Sequence, residues 1–430
     1  MWGARVVPPV IHLANSLPWR VDNDTTLPLL SPSFHLGPSM PFLRGSLGFE
    51  RFNVTGFDSD QFGQEHIEIL GQHTAGKIQT SSLENVHVGF LGGDHLFDQD
   101  FDLGKNLINN ALHCSVRIDT NQIPTAIRSA WLQMELSGLK KDNEGEKLSK
   151  SQRKEAKEAV EQRCEVEAAS GKYRKMQTFP MLWDFDQELL YFGGSVGTAS
   201  GHCMDLLERT FGIELRRVGA GAMAEQWAIE EDRFGELDDL VPVSFVSNGS
   251  QADHAWSNEH SQAPDFLGNE FLMWLWWTLE TQSDTIELPD DSDVTTMLTK
   301  TLTLECPRGE SGKETISAES PVTLPEARHA IRSGKLPRKT GMTIVSDGRQ
   351  FDLVLQAETF AISGAKIHLE DEEEFDDEDR IDAIRLLSDT TDLMFHTFCD
   401  IRTGESWAKE QKKISQWLLS SGQSSGRAAA

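Results

Sequence analysis

The stretch FLGNEFLMWLWWTLE, residues 266–280, constrains this 430-residue chain more than any other. It follows Asp265, a residue suited to capping a helix, and is long enough for about four helical turns. Phe266, Phe271, Leu272, Met273, Trp274, Leu275, Trp276, Trp277 and Leu279 fall on nearly every face of that helix. A helix that is apolar all round cannot lie on a surface and must be covered on all sides. Other elements must therefore flank it in layers. Two coverings are open. One is the core of the same chain. The other is a second subunit on the face carrying Trp274, Trp276 and Trp277, because aromatic residues concentrate at interfaces. The longest purely apolar run, Phe271–Trp277, is far too short to span a bilayer, so an integral membrane protein is not expected.

The pattern elsewhere predicts a mixed α+β protein with more than one region. Residues 1–39 hold six prolines, which exclude any long helix or central strand. We expect a disordered extension there, or an over-long start with Met40 as the true first residue. An N-terminal α+β region is expected over 40–218. Its strand candidates are Leu47–Val54 and His113–Thr120. A helix after Pro124, carrying Ile127, Trp131 and Met134, is expected to end at Gly138. A second helix then opens at Ser149, which forms a capping box with Gln152. Over 150–169 it is rich in Glu, Lys, Arg, Gln and Ala, with one thin apolar stripe of Ala156, Val160, Cys164 and Ala168. Together these helices predict a projecting helical hairpin over 124–172. A β-hairpin (Met176–Trp183 with Leu189–Phe192), a helix closed by Gly212 and a strand at 213–218 complete the region.

Residues 219–264 lose periodicity and read as a linker or surface excursion. A C-terminal α+β region is expected over 265–420. Within it, Asp347-Gly348 is a strong hairpin signal and two amphipathic helices come last. Nine acids in 370–379 read as a solvated, disordered loop, and 421–430 as a disordered tail.

Charge narrows the function. The chain carries 40 Lys and Arg against 68 Asp and Glu, a net charge of -28. Such a balance argues against a surface that is cationic throughout, yet permits a local basic channel. Two zones qualify. In the first, 140–175, Lys150, Arg153, Lys154 and Lys157 share one helix face and Lys147 precedes them. It ends in Lys172, Tyr173, Arg174 and Lys175, where an aromatic between cations can stack while the cations hold phosphates. The second zone, 326–349, holds Arg328, Arg332, Lys335, Arg338, Lys339 and Arg349 against two acids. Arg338-Lys339 follow Pro337 and are expected on an exposed turn.

Signs of catalysis are weaker. Asp94, His95, Asp98 and Asp100 could offer hard-metal ligands, but at no established spacing. The segment around Cys306 lacks phosphate-loop spacing and a base for a nucleophilic thiol. The five scattered cysteines read as free thiols of a reducing compartment. No cofactor or metal is expected.

One resemblance draws these features together. The string LSKSQRKEAKEAVEQRCEVEAASGKYRKMQTFPMLWDFDQELLYFGG, with LLERTFGIEL and LPEARHAIRSGKLPRKTGMTIVSDGRQFDLVLQ, resembles the RdgC family of recombination-associated proteins over roughly 40–420. Strings such as FLGNEFLMWLWW and LECPRGESGKE place it nearest a longer branch. The resemblance implies a non-enzymatic homodimer, closed into a ring, that encircles double-stranded DNA with little sequence preference. It further implies restraint of RecA-type filaments, a cytoplasmic, nucleoid-associated location and no cofactor. The basic helix and the 333–339 segment should then face the hole. Residues 1–39, 219–264 and 370–379 have no counterpart in the shorter members. Two other functions stay open: an acidic interaction factor that does not bind DNA, and a metal-dependent hydrolase.

Overall fold

The computed structural model describes residues 42–76, 86–143, 147–194, 198–246, 263–307, 312–368 and 376–420. The expectations for 1–39, 421–430 and most of the acidic run lie outside these residues.

Alternation in the N-terminal region gives β1 (Leu47–Thr55), α1 (Gln64–Gln72), β2 (Val86–Leu91), α2 (Leu103–Asn106), β3 (Leu107–Ile108) and β4 (Ala111–Thr120). The hairpin helices α3 (Thr125–Asp142) and α4 (Lys150–Ala169) follow, then β5 (Lys175–Asp184), β6 (Leu189–Phe192), α5 (Thr198–Phe211) and β7 (Glu214–Arg217). Two helices, α6 (Ala220–Glu230) and α7 (Phe234–Asp238), precede α8 (Phe266–Thr281). The rest comprises β8 (Thr285–Glu287), β9 (Asp293–Glu305), β10 (Lys313–Ser317), α9 (Pro325–Arg332), β11 (Leu336–Ser346), β12 (Arg349–Gln356) and β13 (Ile362–His368). The long α10 (Asp377–Thr403) and α11 (Trp407–Leu419) close the fold. The class is α+β.

All strand pairs are antiparallel, and they form one sheet in the order β10-β9-β11-β12-β13-β1-β6-β5-β4-β2. The N- and C-terminal regions expected from the sequence thus share one sheet. The joint is β1. Its first residues pair with β13 (Leu47 opposite Ala365), and its later ones with β6 and β7 (Arg51 opposite Tyr191, Val54 opposite Leu215). Alternate β1 side chains enter different cores. Leu47 and Phe49 join the large core with α6, α8, α10 and α11, while Phe52 and Val54 join a second core with α1 and α5. Arg51, 2% exposed, forms a two-pronged ion pair with Asp392 of α10 (2.6 and 2.7 Å) and donates to Ser388. This is charge-assisted bonding between parts of the chain more than 300 positions apart.

The helix α8 has thirteen consecutive buried residues, Phe266–Thr278. Trp274, Trp276 and Trp277 are 4%, 1% and 4% exposed within one chain. The expected tryptophan face for a second subunit is therefore taken by the chain's own core. Gly268 permits this packing, since a Cβ there would lie 1.9 Å from the Ala357 carbonyl oxygen. Asp265 stands at the N-cap position of α8, but its side chain makes no capping hydrogen bond. Its carboxylate accepts from Gly221 N at the start of α6.

The segment 219–264 is also corrected. Over its described part, Met223, Ala224, Trp227, Ala228, Leu237 and Phe245 are buried in the large core. The sequence hid this because small residues, Ala220, Gly221, Ala224 and Ala228, make up most of the buried face of α6 beside Met223 and Trp227. Residues 247–262 lie outside the described set. At the acidic run, Asp376 caps α10 and Asp377, Glu378 and Asp379 form its first turn, where carboxylates meet the positive end of the helix dipole. Among the described residues, no helix is long and apolar enough to cross a membrane.

One carboxylate fastens the sheet beyond the helices. Asp352 accepts from Lys300 Nζ (2.5 Å), Thr343 Oγ1 (2.6 Å) and His368 Nε2 (3.1 Å). Burial alone would raise its pKa, but these donors outweigh burial and hold it at about 2. The folded value lies below the unfolded value near 3.9, so the stabilisation is complete above pH ~5 and fades as pH falls toward 2. Asp352→Asn should lose about 2–3 kcal/mol at neutral pH and flatten the acid limb of a urea-midpoint profile. An unchanged acid limb would show that the pairing contributes nothing.

Candidate nucleic-acid interface

The helices α3 and α4 pack chiefly on each other. Trp131, Val160 and Cys164 form their shared core, with Ile123, Ile127, Leu132 and Tyr173 partly covered around it. Arg163 lies 4.3 Å over the Trp131 ring, and Arg128 pairs with Glu161 across the two helices. The capping box forms as the sequence predicts: Ser149 Oγ accepts from Gln152 N, and Gln152 Oε1 accepts from Ser149 N. The stripe Ala156, Val160, Cys164 and Ala168 is the buried one. Gly138 does not end α3, which continues to Asp142. One glycine carries only a modest helix penalty and does not by itself end a helix.

Charge is divided along α4 rather than mixed. Its first eight residues carry Lys150, Arg153, Lys154 and Lys157 against Glu155 alone. The remainder carries Arg163 against Glu158, Glu161, Glu165 and Glu167. At the basic end stand Lys147 and the last-turn lysines of α3, Lys140 and Lys141. All seven cations are exposed. Only Lys154 has an ion pair among the described residues, with Glu158 at 3.5 Å, and both side chains are well exposed, so the pair is weak. Lys140 and Lys141 were missing from the sequence-derived candidates. Their signal is their place in the final turn of α3, just beyond Gly138.

The GKYRK group is not part of this cluster. It lies beyond the other end of α4, roughly 30 Å away along a twenty-residue helix. Lys172 Nζ pairs with Glu167 at 3.2 Å and lies 5.5 Å from the Tyr173 ring centre. Its pKa is raised by the Glu167 hydrogen bond and charge. Arg174 binds Asp119 Oδ2 at 2.5 Å, a carboxylate that also meets Arg117 and is 2% exposed. Arg174 thus anchors the hairpin's base to β4. Lys175 is exposed at the start of β5.

The second zone is mostly engaged inside the fold. Arg332 donates to the carbonyls of Leu418 (2.6 Å) and Ser420 (2.9 Å), satisfying the C-terminal end of α11. Lys335 is buried and pairs with Glu314. Arg338 bridges Glu305 and Glu358, each at 2.9 Å. Arg328 pairs with Glu280 and lies 5.0 Å over Trp417. Arg338 and Lys339 lie within β11, not on the exposed turn expected before it, because Pro337 stands at the second residue of a strand already paired to β9. Of this zone's site candidates, Arg332 and Lys339 are exposed without an ion pair among the described residues, and the Arg332 guanidinium is occupied by the two carbonyls.

The acidic loop after β2 is closed on a lysine. Lys105 Nζ lies 2.5 Å from Asp98, 3.2 Å from Asp94 and 3.2 Å from the Asp100 carbonyl, the position a hard cation would take. Among the described residues, no three His, Cys, Asp or Glu side chains gather as metal ligands. All five cysteines are free and buried, and burial pushes the Cys114 thiol up to about 12.

The sequence matches no protein-family model and no curated protein.

Proposed function

We propose that this chain is a non-enzymatic protein that binds double-stranded DNA without sequence preference, with the free end of the α3–α4 hairpin as its phosphate-gripping element. The observation that carries the reading is the charge division along α4. A chain of net charge -28 repels DNA as a whole. Electrostatic fields fade over a Debye length of about 8 Å at physiological salt, whereas α4 is roughly 30 Å long. A basic cluster at the far end of such a helix is screened from acids at the other end. Lysines and arginines without base-edge partners position a duplex and do not specify its sequence.

Resemblance to the RdgC family adds that two copies close around the duplex, in the nucleoid, and restrain RecA-type filaments. Because α8 is sealed within the chain, self-contacts of such a dimer fall to other surfaces. Fluorescence-anisotropy titration against several unrelated duplexes tests the reading. The affinities should agree within about threefold across sequences, and sedimentation should give a dimer. A preference of 10³-fold or more for one sequence, the lower end for specific recognition, or no binding at low salt, would overturn it.

A further inference from the structure

A cavity of about 230 Å³ opens where β1 ends beside the β5–β6 turn. Its walls include Phe57, Trp183 and Phe185, with Ser59 and Glu188 among the polar lining. The rings are fixed. Trp183 is 3% exposed, with ring centres 4.7 Å from Phe57 and 5.0 Å from Phe62, and Phe57 lies 6.2 Å from Phe185. Glu188 is fixed by its backbone: its carbonyl accepts from Val54 N at 2.8 Å and its N–H donates to Phe185 O at 3.3 Å. Its side chain is exposed, and its carboxylate has no Lys or Arg partner among the described residues. No Lys or Arg lines the cavity, and the exposed Asp58 and Asp60 flank Ser59.

We propose that this pocket receives one basic side chain, arginine or lysine, presented by a protein partner. Aromatic faces attract a cation through their quadrupole when it lies within about 6 Å, and a carboxylate at the mouth adds to that attraction. An anion is repelled by Glu188, and a neutral apolar group leaves it without a partner. Size selects a side chain over a whole metabolite, whose sites run to roughly 300–1,000 Å³. This proposal stands apart from the DNA reading, since the pocket shares no residue with the hairpin.

The test titrates N-acetyl-arginine-N-methylamide, its lysine and norleucine equivalents, and tetramethylammonium into 5-fluorotryptophan-labelled protein. Trp183→Phe identifies the Trp183 fluorine resonance. Calorimetry with the same probes gives affinities independently of that variant's folding. The arginine and lysine probes should shift the Trp183 resonance saturably and bind at least about fivefold more tightly than norleucine. Glu188→Gln, on the exposed rim, should weaken them about threefold to fivefold. Equal binding of norleucine would make this an apolar site only. Tighter binding of tetramethylammonium would make it a site for a small quaternary ammonium, and no saturable shift would remove it. Each of these three results overturns the proposal.

Discussion

Arg402→Met should cost about 3–5 kcal/mol of stability, the range for stranding one member of a buried ion pair. Arg402 Nε donates to Glu270 Oε2 at 2.6 Å, with the two side chains 5% and 0% exposed. Its Nη2 donates to the Val241 carbonyl at 2.9 Å, and its guanidinium lies 4.9 Å over the Trp407 ring. The other Glu270 oxygen accepts from Val243 N at 2.8 Å. One pair thus joins α8, α10 and the strap at 241–243. Methionine keeps much of the bulk but leaves a carboxylate with no cation in the core of the fold. Burial already raises the Glu270 pKa, against the opposing pull of Arg402. Without Arg402 the folded value must rise further above the unfolded one. A raised acid favours the folded state below its unfolded pKa and loses that advantage as pH rises. The deficit of Arg402→Met should therefore shrink in acid and be full at neutral pH. Urea unfolding at pH 5 and 7 reads both effects, and Glu270→Gln added to Arg402→Met should recover part of the loss. A deficit under 1 kcal/mol at neutral pH would mean that water reaches Glu270.

Changing Lys150, Arg153 and Lys154 together to glutamate should weaken duplex binding by about 100-fold or more at physiological salt, equally for every sequence. The magnitude follows from counterion release. Each phosphate contact contributes a slope of about 0.9 in log K against log salt, so three lost contacts at about 0.15 M remove roughly two decades before any repulsion is added. The fold should not suffer, because all three side chains are exposed and the shared core of the hairpin lies elsewhere. Arg174→Glu is expected to behave differently. It breaks the tie to Asp119 and should loosen the hairpin's attachment as well as weaken binding. A hairpin that unfolds independently in hydrogen exchange would show that loss.

Local signals in the sequence were reliable where one physical cause acts alone. The Ser149–Gln152 capping box, the stripe on α4, the Asp347-Gly348 turn at φ 47° and 72°, and Gly212 at φ 68° all hold. The all-round apolar helix was also right in its demand for complete burial. What covers it was not legible, because cover comes from β11, α6, α10 and α11, which lie far away in sequence. For the same reason α6 reads as linker in the sequence: four of its buried residues, Ala220, Gly221, Ala224 and Ala228, are small, and Met223 and Trp227 alone leave a periodicity too slight to see without the neighbours they fit. The site was legible by halves. Composition located both basic zones, but only pairing separates them. The acids that engage the second zone, Glu280, Glu305, Glu314 and Glu358, lie 20 to 48 residues away along the chain. The division of charge along α4 was open to reading in the string itself. The aromatic pocket was not, since β1 and the β5–β6 turn meet only through sheet pairing.

The proposed DNA binding requires the hairpin's free end to grip phosphates while the acidic remainder stands clear. The slope of log K against log salt for one duplex, measured on the natural protein and on the Lys150, Arg153 and Lys154 reversal, tests this most directly. The natural protein should show a steep negative slope, and the reversal should be shallower by about three units. Parallel lines of equal slope, whatever their offset, would place the phosphate contacts elsewhere and contradict the account.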